Sequence, residues 1–211
     1  MLAPHVWRCR ALRADGSTAW FASVVGDTHP DGTVLELPEP EAAARLAGEQ
    51  VLASVELDGA GLAVRLDLLP ALLERTGPLW FVHVPEPDAD PAATNLVAFT
   101  GGKVPAGSVL QGSIPADAGA RSADQLGAIR WWPGTGEVDQ VYVAPARRRS
   151  GLSTALMAAA GTLATAGGSV PLWGDGQRTA LGERMKQASP WSHRFAELEH
   201  LAPPMTPFDE R

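Results

Sequence analysis

The sequence is poor in reactive and basic side chains. It holds a single cysteine, Cys9, and a single tyrosine, Tyr142, in 211 residues. One thiol excludes an intramolecular disulfide, which fits a reducing compartment. No cluster of cysteine and histidine at zinc spacing is present, so no structural metal is expected. No apolar run approaches the roughly 20 residues that cross a bilayer. The start, "MLAPHVWRCRALRADG", lacks the basic-then-apolar order of a signal peptide. The expected location is cytoplasmic, with no membrane partner. Positive charge is also short: 17 Lys and Arg face 24 Asp and Glu, for a net charge of -7. That balance argues against general nucleic-acid binding, which needs a positive face. Lys103 and Lys186 are the only lysines, so the cationic chemistry is arginine chemistry.

What remains is an ordinary globular composition, 45% hydrophobic and 19% charged, enough for one domain or one domain with a large extension. The first hundred residues read as β-rich. "HVWRCRAL" and "TAWFASVVG" flank the turn "RADGS", and "QVLASVEL" and "GLAVRLDL" flank Asp58-Gly59, which predicts two hairpins. "PEPEAAARLAG" starts as helices do, with proline and acids first. "LDLLPALLERTG" reads as a short helix, "PLWFVHV" as a buried strand, and residues 85–95 as a loop. "SVLQGSI" is a further strand. From Leu126 the pattern sharpens: "LGAIRWW", the turn "PGTG" and "EVDQVYV" predict a hairpin. A long alanine-rich helix with Leu152, Leu156 and Leu163 on one stripe follows. "SVPLW" is predicted as a strand, "TALGERMKQA" as a helix, and the tail from Arg194 as one more strand or helix.

Between the strand "EVDQVYV" and the long helix lies "APARRRSG". The first N–H groups of a helix have no partner within it, and they sit where the helix dipole is positive. A strand that turns tightly into a helix start is therefore an anion site. Ser150, Gly151, Ser153 and Thr154 are small enough to admit a phosphate to the backbone. Arg147, Arg148 and Arg149 add charge-assisted bonds. The P-loop pattern is absent, and Gly134 and Gly136 open no helix, so no Rossmann fingerprint exists either. A solvated basic turn without a ligand is the plainer reading of the same residues.

The stretch Val143-Ala144-Pro145-Ala146-Arg147-Arg148-Arg149-Ser150-Gly151-Leu152-Ser153-Thr154-Ala155-Leu156 resembles motif A of the GNAT N-acetyltransferase superfamily. Arg148, Gly151 and Leu156 fall on the arginine, first glycine and leucine of that motif. Ser153 departs, standing where the family has glycine or alanine. The resemblance covers about thirty residues well, and its order of elements extends over residues 126–188. It implies an α+β fold: a mixed, mostly antiparallel sheet flanked by helices, with an added N-terminal β-rich region. Residues 101–211 would form the acyl-CoA-binding domain, and residues 1–100 a region of unassigned role. The implied cofactor is acetyl-CoA or another acyl-CoA. Its diphosphate would lie on Arg148, Arg149, Ser150, Gly151, Leu152, Ser153 and Thr154, and its pantetheine arm along Val141, Tyr142 and Val143. In the family that strand splays from the next, here "SVPLW", and the arm enters the gap. The partner would be a small-molecule or peptide amine, and a homodimer is among the assemblies the resemblance allows.

Strict alternation places Glu137, Asp139, Val141 and Val143 on one strand face, with Tyr142 on the other. The resemblance makes Glu137 the first candidate for the base that takes the amine proton, and Asp139 the second. His193 is a further candidate base or acid. The family's acid tyrosine belongs on "TALGERMKQA", which has none. Ser189, Ser192 or His193 substitutes, or the thiolate leaves unassisted, or the protein binds acyl-CoA without transferring it. Adjacent Trp131 and Trp132 face opposite ways, one toward the core. Trp173 is placed to wall the acyl site, with core packing as its other reading. The expected activity is N-acyl transfer. The alternatives are a non-catalytic acyl-CoA binder and a structural or interaction protein.

Overall fold

The long alanine-rich helix is the axis around which the other elements are arranged. In a computed structural model that describes residues 5–189 and 192–202, it forms α3, Leu152–Ala166. More than one stripe of α3 is buried. Ala155, Met157, Ala158, Ala160 and Thr162 are covered as well as Leu152, Leu156 and Leu163. A helix that is apolar all round belongs between two layers, and α3 lies between two five-stranded sheets.

The first sheet is built from β1 (Val6–Leu12), β2 (Thr18–Val25), β3 (Val34–Pro38), β4 (Gln50–Leu57) and β5 (Ala63–Leu68), in the order β3-β1-β2-β4-β5. α1 (Glu39–Leu46) connects β3 to β4. The second sheet holds β6 (Trp80–Glu86), β7 (Ala93–Phe99), β8 (Val109–Gln111), β9 (Gly127–Trp132) and β10 (Glu137–Val143), in the order β10-β9-β7-β6-β8. Pairing is antiparallel except for β1 with β3 and β6 with β8. The sheets meet where β5 approaches β8. There the Leu66 N–H donates to the Gly107 carbonyl at 2.7 Å, and Arg65 bridges Ser108. The wall is thus continuous from β3 to β10 and curls around α3. One core draws on both sheets, with Val55 and Leu66 from the first and Phe81, Leu96, Ile129 and Trp131 from the second. Burial of this apolar surface is the main stabilising term.

Both predicted N-terminal hairpins form. Other segments differ from expectation. Residues 85–95 are not one loop: β6 runs through Glu86 and β7 begins at Ala93, leaving a short turn. The Pro, Asp and Ala content there hides two strand ends. The predicted helix in "LDLLPALLERTG" shrinks to α2, Pro70–Leu73, because Leu66–Leu68 is claimed by β5. "SVPLW" forms no strand, only a bridge at Trp173. α4 (Ala180–Ala188) follows, and β11 (Gln177–Arg178) pairs with β12 (His200–Leu201) in the predicted tail. Residues 203–211 of that tail, and Pro190 and Trp191, lie outside the described residues. Among the described residues no helix is long and apolar enough to cross a membrane.

Candidate active site

β10 is the last strand of the second sheet. Near its start, the Trp173 N–H donates to the Gly136 carbonyl and the Val138 N–H donates to the Trp173 carbonyl, both at 2.9 Å. Among the described residues, no backbone bond from the segment after Trp173 joins the rest of β10. The two segments touch at Gly136–Val138 and part beyond it, leaving the edge of β10 open toward Val143. Gly136 fixes the junction. Its φ is +74°, and an added Cβ would sit 2.7 Å from the Pro171 carbonyl oxygen. Gly136→Ala should therefore destabilise the fold by about 1–3 kcal/mol, read as a lower urea midpoint. A midpoint at or above that of the parent would contradict this junction.

The strand is not regular. Glu137 opposes Trp132, Val138 opposes Trp131, and Gln140 opposes Arg130, so Asp139 is an extra residue in a bulge. Opposed residues of an antiparallel pair share a face. Val138, Val141 and Val143 therefore lie with buried Trp131 and Ile129, whereas Glu137, Gln140 and Tyr142 lie with Arg130 and Trp132 on the other face. This corrects the alternation expected from the sequence: Glu137 shares its face with Tyr142, not with Val141. One inserted residue reverses every side chain beyond it.

After β10, Pro145–Arg147 makes a single tight turn, Arg149 takes a φ of +63°, and Gly151 takes +87° at the cap of α3. Positive φ is uncommon at a residue with a Cβ. The Ser150 hydroxyl donates to the Arg147 carbonyl at 2.6 Å and ties the turn together. No side chain caps α3. The Ala155 N–H, reaching the Gly151 carbonyl at 3.0 Å, is the first helical N–H with a carbonyl partner.

A cavity of about 400 Å³ opens at this point. Val141, Tyr142, Val143, Arg148, Arg149, Gly151, Leu152, Ser153 and Thr154 all line it. Ser150 does not. The opposite wall is the start of α4, with Thr179, Leu181, Gly182, Arg184 and Met185. Sequence reasoning missed this wall, although the Thr179 hydroxyl, accepting the Gly182 N–H at 3.1 Å, is a readable helix cap. Arg147, Arg148, Arg149 and Arg184 surround one space, and among the described residues none has a carboxylate partner. Four cations around a cavity make a positive potential that favours an anionic ligand.

The candidate catalytic residues separate. Glu137 stands at the closed end of the β10 gap, bridged to Trp173. Burial first, then the charges of Asp175 and Asp139, push its carboxyl above the usual carboxylate range. Asp139 is held by Arg130, which also binds Glu86 at 3.0 Å. His193 does not line the cavity; its Nε2 lies 3.2 Å from Asp31 in the N-terminal region. The Ser189 hydroxyl is buried at the end of α4 and has no hydrogen-bond partner among the described residues. Trp131 is buried and Trp173 is 36% exposed.

Residues 65–173 match the model of the acetyltransferase (GNAT) family, just over half of the chain. The protein belongs to that family, whose general activity is acetyl transfer from acyl-CoA. No curated protein and no solved structure matches the chain. The matched span opens in β5, ahead of residue 101, and closes at Trp173, so the α4 wall of the cavity lies outside it.

Proposed function

We propose that the protein moves an acetyl group from acetyl-CoA to the amine of a small molecule or peptide, by direct transfer. The observation that carries this reading is the arginine turn and uncapped start of α3, lining a cavity beside the open edge of β10. Unpaired helix N–H groups, and guanidinium groups that among the described residues have no carboxylate partner, suit a diphosphate; Arg148 Nε is tethered to the Val143 carbonyl at 3.4 Å. The open strand edge suits an arm that carries amides.

Bound acetyl-CoA supplies a thioester whose carbonyl carbon an amine can attack. Arg148 and Arg149 would hold the diphosphate, with the N–H groups of Gly151 to Thr154. Val141 to Val143 orient the arm through backbone bonds. Glu137 would accept the proton that the amine nitrogen loses as the new C–N bond forms; the C–S electron pair would leave on sulfur as the CoA thiolate, which takes its proton from water. A carboxylate raised above its ordinary value is the better base for that step. Tyr142 lies at the far end of β10 from Glu137, beyond the bulge at Asp139, and is not its neighbour on the strand. With no tyrosine on α4, a second reading is a protein that binds acyl-CoA without transfer.

Release of the CoA thiol, measured across a panel of amines, separates the two. The transferase reading expects amine-dependent release whose kcat/KM rises with pH through the Glu137 titration and is lost as pH falls below it. Asp175→Asn removes a neighbouring negative charge and should move that acid limb to lower pH. Tight acetyl-CoA binding with no release for any amine would favour the binder. An acid limb unmoved by Asp175→Asn would remove Glu137 from the mechanism.

A further inference from the structure

A second cavity shares no lining residue with the first. It lies among β1, β2, β4, α3 and the segment that returns through Leu172 and Arg194. Arg8 on β1 is 3% exposed and lines it. Among the described residues its guanidinium has no ion pair and no hydrogen bond, and its Nε is fully enclosed without a partner. Arg194 lines the same cavity and pairs with Asp31 at 3.3 Å. Asp31 also takes the Val6 N–H at 2.8 Å and lies 3.2 Å from His193. One carboxylate thus serves three neighbours, and the charge on Arg8 has no partner of its own.

A guanidinium does not escape this by losing its proton. Burial, then the neighbouring Arg194, lower Arg8 to about 10, with Asp31 opposing, and that still leaves it charged at neutral pH. Water could satisfy its N–H groups but would not offset the charge, and an unpaired charge is among the costliest groups to bury. Ser23 and Thr162, whose hydroxyl oxygens lie 2.8 Å apart, add polar groups to the same wall. The space is about 40 Å³, room for one or a few water-sized particles when each needs about 10–15 Å³. Phosphate and larger anions are too big.

We infer that this cavity binds one small monovalent anion, of the size of chloride, between Arg8 and Arg194. The ion would complete the charge balance under α3 and fasten the segment around Arg194. That segment touches the active site: the Arg194 carbonyl accepts the Gly174 N–H at 3.2 Å, one residue from the Trp173 bridge to Glu137.

The test uses the whole chain at constant ionic strength, with sodium gluconate exchanged for sodium chloride. Chloride should raise the melting temperature by several degrees, and Arg8→Met should abolish that rise. Crystals of the unaltered protein soaked in bromide should show an anomalous peak between Arg8 and Arg194. Equal chloride responses in parent and Arg8→Met would overturn the inference. So would a bromide peak without any chloride response in solution, which would be an adventitious ion only. If Arg8→Met does not fold, the chloride response and bromide density of the parent decide: both present supports the site, and either missing overturns it. The site stands apart from the acyl-CoA reading, and acetyl-CoA affinity should be the same in parent and Arg8→Met.

Discussion

Glu137→Gln is expected to lower kcat for acetyl transfer about 100-fold or more at neutral pH, the usual contribution of a positioned base. Binding of acetyl-CoA should be unchanged, because Glu137 does not line the cavity that holds the arginines. The split between kcat and affinity distinguishes lost proton transfer from a damaged fold. A second sign is pH dependence. The acid limb that the parent owes to the Glu137 titration should be missing from the kcat/KM profile of the variant. Asp139→Asn should behave differently, since its carboxylate is engaged by Arg130: a modest loss of stability rather than a collapse of rate. A change under threefold in Glu137→Gln would remove the base from this position.

The second large effect is at the turn. Gly151 has a φ of +87°, and a Cβ added there would meet nothing within 4 Å. Valine at that position meets a backbone penalty of about 1–3 kcal/mol, which a domain of this size withstands. Its side chain would nevertheless occupy open space at the cavity wall, where the phosphates must approach the backbone. Gly151→Val should weaken acetyl-CoA binding more than 100-fold while the protein remains folded. Arg148→Ala should cost about 10- to 100-fold, the worth of one charged hydrogen bond of roughly 1.5–3 kcal/mol. If both variants bind as the parent does, the cavity is not the cofactor site.

The parts of this account that the sequence made readable are local. Leucine spacing and the arginine turn announced α3 and its anion-ready start, and both N-terminal hairpins follow from their turn residues. Features set by long-range pairing were hidden. The bulge at Asp139 leaves no mark in "EVDQVYV", because an extra residue in one strand is defined only by its partner. "SVPLW" has the composition of a strand, yet its pairing is confined to Trp173, and the gap beside β10 exists because that pairing stops. The α4 wall was invisible for the same reason. Arg184 and Met185 read as ordinary helix residues until the chain brings α4 opposite the start of α3. The burial of Arg8, likewise, depends on the return of Arg194 across α3.

Calorimetric titration of acetyl-CoA into the parent protein and into Arg148→Ala tests the central claim most directly. Micromolar binding in the parent, weakened at least tenfold in the variant, is the predicted result. Absence of measurable heat in the parent, or equal affinity in the two proteins, would contradict it and leave the arginine turn as a solvated basic corner.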